Sequence, residues 1–514
     1  MLVAVSGTWA EEAAAPPPPV FSSVSAEAEK ALADLAGSDS AAQEAAAVWL
    51  MQQGNVNLLL KLEEIRISAD RSVRMLLKPV IDSLRNRAKL ASEDVGTRRS
   101  AAADLGSAGK PEAIAWLEDA YKRERDRWVR YTIEESIALL QLAADDPATK
   151  IAAAAKLGEL HSQNAVPALK ELALEPAPDA ADADGQAKQA RERQVQVARA
   201  ARDAIERIEV WGTWANSIET VFRGISLSSI LLLMSLGLAV VFGLMGVINM
   251  AHGEFMMIGA YATFVTQELV KAYLPPGVFD YYFLLAMPLS FLVAGLFGLL
   301  LEATLIRFLY GRPLETMLAT WGVSLILIQG ARVYFGDLTS VVAPSWLSGG
   351  MQVIVGVQLP FNRLFIIALS AVCVAGIYLL LFRSGVGLRV RAVMQNRNMG
   401  ACLGIPTRKV DAYTFAFGSG LAGVAGWALT LIGNVEPGLG QNYIVDSFMV
   451  VVTGGVGKLM GMIVASLGIG GLNKLLEPSF GAVYGKVLIL VLVILFLQWR
   501  PSGLFAIKGR QVES

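Results

Sequence analysis

The chain has 514 residues, of which 54% are hydrophobic and 17% are charged, whereas a soluble globular protein usually carries about 25% charged residues. Residues 1–220 hold 26 Lys/Arg and 34 Asp/Glu, and residues 221–514 hold 18 Lys/Arg and 11 Asp/Glu. An acidic, charged region therefore precedes an apolar, slightly basic one, which excludes a single soluble domain and a uniformly basic surface for nucleic acid.

The first twenty residues form a segment of their own. Met1–Ala10 resembles the end of a signal peptide, although it lacks a basic start, and Pro16–Pro19 is typical of a stiff spacer. We therefore expect residues 21–215 to form a soluble domain on the outer, periplasmic side of a membrane. This domain contains no cysteine, so disulfides do not hold it together.

An internal repeat runs through the soluble domain. Ala102–Gly106 recurs as Ala154–Gly158, and Ala113–Leu117 matches Ala165–Leu169, both at an offset of 52 residues. Apolar residues at three- and four-residue spacing predict a helix, a turn and a second helix in each copy. Such pairs stack into a short solenoid that resembles HEAT-like repeats, with Pro176–Gln189 as a surface insert. The solenoid is either a docking surface for a partner or an accessory fold that only stabilises.

Residues 222–505 contain apolar stretches long enough to cross a bilayer, which takes about 20 residues per helix. The glycine-rich run Gly454–Lys458 interrupts one of them and predicts two short helices or a broken helix. We predict an all-α polytopic membrane domain with eight or nine transmembrane helices, followed by a cytoplasmic tail at 506–514. The candidate stretches are Ile225–Ile248, Phe255–Val270, Tyr282–Leu301, Glu315–Phe335, Phe365–Phe382, Ala412–Gly433, Tyr443–Leu472 and Val487–Trp499.

The basic residues of this region are unevenly distributed, and cytoplasmic loops are enriched in Lys and Arg. With nine spans, three basic clusters and Lys458 fall on one side, which we expect to be the cytoplasmic side. The clusters are Arg307 and Arg312; Arg383, Arg389, Arg391, Arg397, Arg408 and Lys409; and Arg500, Lys508 and Arg510. The same parity places the N-terminal domain outside.

Nothing in the sequence indicates an enzyme. His161 and His252 are the two histidines, Cys373 and Cys402 the two cysteines, and none has the spacing of a metal site. Gly454–Lys458 lacks the four-residue spacing and the following Ser or Thr of a phosphate-binding loop. We therefore expect no metal and no cofactor, and we expect any ATP hydrolysis to occur in separate chains.

Several separated motifs resemble one transporter family. From residue 222 to the end, the chain is similar to the branched-chain amino acid and amide ABC permeases, and within them most similar to the urea-transporter branch. The motifs that carry the family resemblance are Val241–Phe255, Arg391–Val393, Ala401–Ile405 and Arg500–Phe505. Those that carry the urea-branch resemblance are Gly433–Phe448 and Gly454–Leu459.

The resemblance implies an importer in a bacterial inner membrane. Its expected partners are a second permease subunit, two ABC ATPase subunits, an extracytoplasmic substrate-binding protein and membrane lipid, without nucleic acid. The expected substrate is urea or a short-chain amide. The alternatives are a branched-chain amino acid permease of the same design, a passive urea or amide channel without an ATPase, and a receptor-like protein whose solenoid senses a ligand.

The basic loop between Arg383 and Lys409 is where the resemblance places a coupling helix, a short element that docks on the ATPase. Gly404 permits the turn that leaves the helix. The alternative is an ordinary positive-inside loop. The residues expected to couple are Arg391, Asn398, Ala401, Cys402, Gly404 and Ile405.

Polar residues in apolar surroundings are candidates for the substrate path, because desolvating an amide without replacing its hydrogen bonds is costly. We expect this path to include Asn249, His252, Glu254, Asn434, Glu436, Gln441 and Asp446. Structural alternatives exist for most of them. His252 could satisfy the turn after the first span, Asn249 could cap the next helix, Glu436 and Asp446 could lie in a solvated loop, and Glu302 could only anchor its helix.

Overall fold

The computed structural model describes residues 26–37, 39–53, 56–174, 185–455, 457–501 and 503–505. The predicted signal-like segment at 1–20, most of the insert at 176–189 and the tail at 506–514 lie outside these residues. The chain divides into two compact units, Met1–Gly212 and Thr213–Ser514. The unit boundary falls within one helix of 61 residues, Gly185–Met245.

The first unit is helical throughout its described part. Its helices are α1 (Ala26–Ala36), α2 (Ser40–Gln53), α3 (Leu59–Ser68), α4 (Arg71–Lys89), α5 (Val95–Ser107), α6 (Ala113–Arg123), α7 (Arg127–Leu142), α8 (Pro147–Leu160), α9 (Val166–Leu172) and the start of α10 (Gly185–Met245).

The internal repeat occupies the same structural positions twice. Leu105 of α5 and Leu157 of α8 are both buried, as are the glycines that follow them. Each copy begins at a capping aspartate, which sequence reasoning missed. Asp94 accepts a hydrogen bond from the backbone N–H of Thr97 (2.7 Å), and Asp146 accepts one from that of Thr149 (3.0 Å). A further helix packs on each copy, because Gly106 lies against Ser136 of α7 and Gly158 against Ala204 of α10.

The second unit combines the end of α10 with nine more helices and one β-hairpin in its described part. The helices are α11 (His252–Tyr273), α12 (Tyr282–Thr304), α13 (Pro313–Phe335), α14 (Phe361–Arg383), α15 (Gly385–Gln395), α16 (Arg397–Cys402), α17 (Thr407–Leu429), α18 (Leu439–Gly454) and α19 (Leu459–Trp499). The antiparallel strands are β1 (Gly350–Ile354) and β2 (Val357–Pro360).

Five helices of the described chain are long and apolar enough to cross a membrane: α10, α12, α13, α14 and α19. The predicted count of eight or nine is not reached on this criterion, for identifiable reasons. Helices α11 and α17 have sufficient length but carry more polar and charged side chains, and α18 has only 16 residues. The second part of the stretch predicted at Tyr443–Leu472 and the stretch predicted at Val487–Trp499 both lie in α19, which is kinked at Gly481. The predicted interruption is present, since α18 ends at Gly454 and α19 begins at Leu459.

Helix α17 is the centre of the second unit, and its glycines allow close packing. Gly418 lies against Gly237 of α10, and Gly423 against Gly259 of α11. A β-carbon on Gly426 would come 1.9 Å from the carbonyl oxygen of Met256. Small residues that bring backbones together are the usual way in which helices associate in a membrane.

Candidate substrate path and coupling element

The chain reverses direction inside the membrane unit after α10. Gly246 has φ = +66°, a left-handed conformation that glycine adopts at little cost, and it starts the irregular segment 246–251. The following residue, His252, lies against Gly237, which is eight residues before the end of α10. Val247, Asn249 and Ala251 of this segment are buried. Non-helical backbone of this kind is tolerated in membrane proteins where it is covered by protein or lines a cavity.

Three predicted path residues lie in or beside this reversal, and all three are buried. Asn249 is 2% exposed, His252 0% and Glu254 1%. Asn249 accepts a hydrogen bond from the N–H of Ala251 (3.0 Å), so it stabilises the turn and does not cap α11 itself. Its Nδ2, both ring nitrogens of His252 and Oε2 of Glu254 make no hydrogen bond with good geometry, although the ring lies beside the Met234 carbonyl.

Helix α13 completes this polar group with two hydroxyl side chains that sequence reasoning missed. Ser324 donates to Oε1 of Glu254 (2.8 Å), and Thr320 accepts from the backbone N–H of Met250 (3.0 Å). Thr316, Thr320 and Ser324 are all buried at four-residue spacing. Hydroxyls at this spacing within an apolar helix were the signal that could have identified the face.

The two predicted path segments meet at a pair of glycines. A β-carbon on Gly253 would lie 2.6 Å from the carbonyl oxygen of Gly440, at the start of α18. The predicted path residues between 434 and 446 differ in how exposed they are to solvent. Asn434 and Gln441 are exposed, and half-buried Glu436 accepts a hydrogen bond from Asn442 (2.9 Å).

Asp446 and Glu302 are held by cations. Asp446 is buried in α18 with Lys486 at 3.5 Å, so it is not a solvated loop residue. Glu302 pairs with Arg307 at 3.4 Å, as an anchoring role requires. In the part of the chain that the structure describes, no lysine or arginine nitrogen lies within 4.0 Å of Glu254. The open polar atoms of the reversal belong to one amide, one imidazole and one carboxyl group.

The basic loop folds as two short helices. Asn396 caps the start of α16, since its side chain accepts from the N–H of Met399 (2.9 Å). Gly404, two residues beyond the end of α16, has φ = +80°, and the N–H of Ile405 bonds back to the carbonyl of Gly400 (3.1 Å). This pairing resembles the glycine-terminated helix end known as the Schellman motif.

Helix α16 and the residues that follow it expose apolar side chains. Met399 is 58% and Leu403 is 76% exposed, and Ala401 and Cys402 are exposed beside them. Ile405 is half-buried against Gly400. Arg391 lies on α15 with its guanidinium 5.1 Å from the centre of the Phe382 ring. The side chain of Asn398 lies outside the described residues.

Long apolar helices, a buried polar reversal and an exposed basic element together define a multi-pass membrane transport subunit. The family described as the permease component of branched-chain amino acid transport systems matches residues 220–497, more than half of the chain. The chain belongs to this permease family. The specific urea branch that the motifs predicted is not shown by this match.

The membrane part of the chain is similar to several curated bacterial permeases. One is the high-affinity branched-chain amino acid transport system permease protein BraD of Pseudomonas aeruginosa, with 30% identity over 293 residues, covering 56% of this chain and 95% of BraD. Another is the corresponding protein LivH of Escherichia coli K12, with 28% identity over 299 residues, covering 56% of this chain and 94% of LivH. LivM of the same strain is 24% identical over 311 residues, covering 56% and 70%. No solved structure matches.

Proposed function

We propose that this chain is a permease subunit of an ATP-driven importer for branched-chain amino acids or a related small solute. The observation that carries the proposal is the buried reversal between α10 and α11. It combines broken backbone with open hydrogen-bonding atoms on Asn249, His252 and Glu254. Transporters commonly bind solutes at discontinuous helices of this kind. The family supplies the substrate class, since the relatives are permeases of branched-chain amino acid transport systems.

In this proposal ATP is hydrolysed by two separate ATPase subunits that dock on α16. The exposed Met399 and Leu403 supply an apolar contact, and the basic residues of the loop favour the cytoplasmic side. A second permease subunit completes the path, and an extracytoplasmic binding protein delivers the solute. The proposal includes Arg391, Asn398, Ala401, Cys402, Gly404 and Ile405 in the coupling element. A coupling element of this kind favours an importer over a passive channel.

The experiment is uptake of labelled leucine and labelled urea in cells that lack this chain. The cells are complemented with the intact chain, with Gly404→Pro, or with Gly404→Asn as the matched control. Proline removes the N–H that bonds Ala401 and cannot adopt φ = +80°, whereas asparagine tolerates that conformation. We expect ATP-dependent leucine uptake with the intact chain and with Asn, and its loss with Pro. Uptake that survives both Pro and ATP depletion would indicate a channel.

Urea or a short-chain amide is the second candidate substrate, and one observation favours it. An amino acid brings a carboxylate that needs a cationic partner or several N–H donors, but no lysine or arginine lies near Glu254 in the described chain. Urea is neutral, and its N–H groups suit the open Glu254 oxygen. In the same assay, urea uptake that follows the complementation pattern while leucine uptake does not would select this candidate.

For the first unit we propose a periplasmic docking solenoid with HEAT-like repeats. Its support is the twofold use of the same cap, buried leucine and packing glycine in α5 and α8. Deleting residues 21–180 while keeping the membrane unit separates the two roles. Normal insertion with lost uptake would support docking, whereas uptake that falls only in proportion to the amount of inserted chain would support a stabilising role.

A further inference from the structure

A cluster of charged and aromatic residues lies directly behind α16. The guanidinium of Arg397, the first residue of α16, lies 2.5 Å from a carboxylate oxygen of Asp411 on α17. The same guanidinium lies 4.6 Å from the ring centre of Tyr310, which follows α12. One side chain of α16 therefore contacts segments attached to two membrane helices.

The cluster continues into α12 through a second ion pair. Glu302 is buried near the end of α12, pairs with Arg307 and lies within electrostatic range of Asp411. Two buried carboxylates this close would repel each other without their arginines. Each carboxylate is buried whereas its arginine is partly exposed, so removing the arginine leaves a buried carboxylate without its cation, which is unfavourable. The cluster thus holds α16, α12 and α17 in a fixed arrangement.

The place of this cluster in the fold gives it a further role. The outer side chains of α16 are exposed, and Gly400 contacts Val393 and Ile405 of its own loop. Arg397 is therefore a direct polar link from α16 into the membrane unit. Helix α17 carries Gly418, Gly423 and Gly426, which touch α10, α11 and α12. A displacement of the start of α17 is transmitted to those helices because close-packed backbones cannot deform independently.

We propose that Arg397, Asp411 and Tyr310 form a relay that transmits movement of α16 to α17 and α12. In this relay the three are positioning residues, and none of them contacts the solute. The inference rests on the proposed function, because it requires an ATPase that moves α16. It differs from the docking role of Met399 and Leu403, since those side chains are exposed and apolar. Loss of the relay should leave docking and ATP hydrolysis in place and remove their connection to transport.

The test uses the purified complete transporter in liposomes, with ATP hydrolysis measured in parallel with uptake of labelled leucine and of labelled urea. We expect Arg397→Gln and Asp411→Asn to lower uptake at least about fivefold, the lower end of ordinary coupling between sites. ATP hydrolysis and the amount of copurified ATPase should stay within about twofold of the parent, because a change below that is smaller than ordinary coupling. Arg397→Lys should recover part of the uptake, since it keeps the charge but not the planar group over Tyr310.

Two further variants separate a relay from a structural pair. Arg408→Ala removes an exposed arginine from the first turn of α17 and should leave uptake unchanged. The exchange Arg397→Asp with Asp411→Arg should transport better than either single change, because it restores opposite charges. Parallel loss of uptake, hydrolysis and copurified ATPase would overturn the relay in favour of a structural role, as would unchanged uptake. Failure of the parent chain to copurify any ATPase would instead contradict the proposed function.

Discussion

The helices of the two units pack in different ways. In the first unit the side chain of Leu157 fills the space between helices, whereas in the second unit Gly426 lets two helix backbones touch. Leu157 is fully buried among alanine and leucine side chains of α8, α9 and α10. Gly426 has no side chain, and its α-carbon lies directly against the backbone of α11 at Met256. The same pattern holds nearby, with Leu105 in α5 and Gly423 in α17.

This difference follows from the solvent around each unit. In water, burying a leucine side chain is favourable by about 1.5–3 kcal/mol, so side chains can hold a solenoid together. Lipid tails are as apolar as leucine, so membrane helices gain little by moving a side chain from lipid into a helix contact, and they rely on close packing and hydrogen bonds. The stability of the first unit should therefore fall most when a buried side chain is removed, and that of the second unit when a side chain is added.

The largest effect should come from an added methyl group in α17. Gly426→Ala places a β-carbon 1.9 Å from the Met256 carbonyl, a contact that neither backbone can avoid without moving. We expect the free energy of unfolding to fall by roughly 3 kcal/mol or more, which is at the upper end for overpacking a core. The measurement is the yield and melting temperature of the detergent-solubilised chain.

Gly376→Ala is the matched control, because nothing lies within 4 Å of a β-carbon at that position of α14. We expect it to keep or slightly raise stability, as alanine favours helix interiors. Equal melting temperatures for the two variants would contradict the packing assigned to α17.

The next largest effect should come from a lost side chain in the first unit. Leu157→Ala should cost about 2–5 kcal/mol, the usual range for a buried leucine. Hydrogen exchange of the full chain should show faster exchange in α8 and α9, with the membrane unit unchanged. Leu174→Ala, at an exposed leucine beyond α9, should change little. Equal protection in both variants would contradict the buried position of Leu157.

The smallest effect should come from the two helix caps. The hydrogen bonds from Thr97 lower the pKa of Asp94 below its ordinary value of 3.8, and those from Thr149 do the same for the pKa of Asp146. Each cap therefore stabilises above the ordinary carboxyl pKa, and this stabilisation is lost as the pH falls through the lowered pKa. At pH 6, Asp94→Ala should speed amide hydrogen exchange in α5, and Asp146→Ala should do the same in α8. Their differences from the parent should shrink towards pH 3, and a constant difference would contradict the cap assignment.

Features that repeat in the sequence, or that depend on a local run of one residue type, were predictable. The offset of 52 residues predicted the helix pairs at Ala102 and Ala154, and the glycine run predicted the break after Gly454. The caps Asp94 and Asp146 share that offset but were not predicted, because they are polar and lie outside the apolar pattern that marks the repeat. The approach of Gly253 to Gly440 could not be predicted, because a close backbone contact depends on distant segments. The partners of Asp446 and Asp411 were hidden for the same reason.

Cross-linking from Cys402 tests whether a separate ATPase docks on α16. This cysteine is exposed on α16, and Cys373→Ser removes the other one. A control cysteine is placed at Val353 on the β-hairpin. Helix α14, with 23 residues and a length of about 34 Å, lies between this hairpin and α15 along the chain. We expect Cys402 to cross-link to a copurified ATPase subunit, and a variant that carries Val353→Cys together with Cys402→Ser not to cross-link. Cross-linking from position 353, or from neither position in an active transporter, would contradict docking of the ATPase on α16.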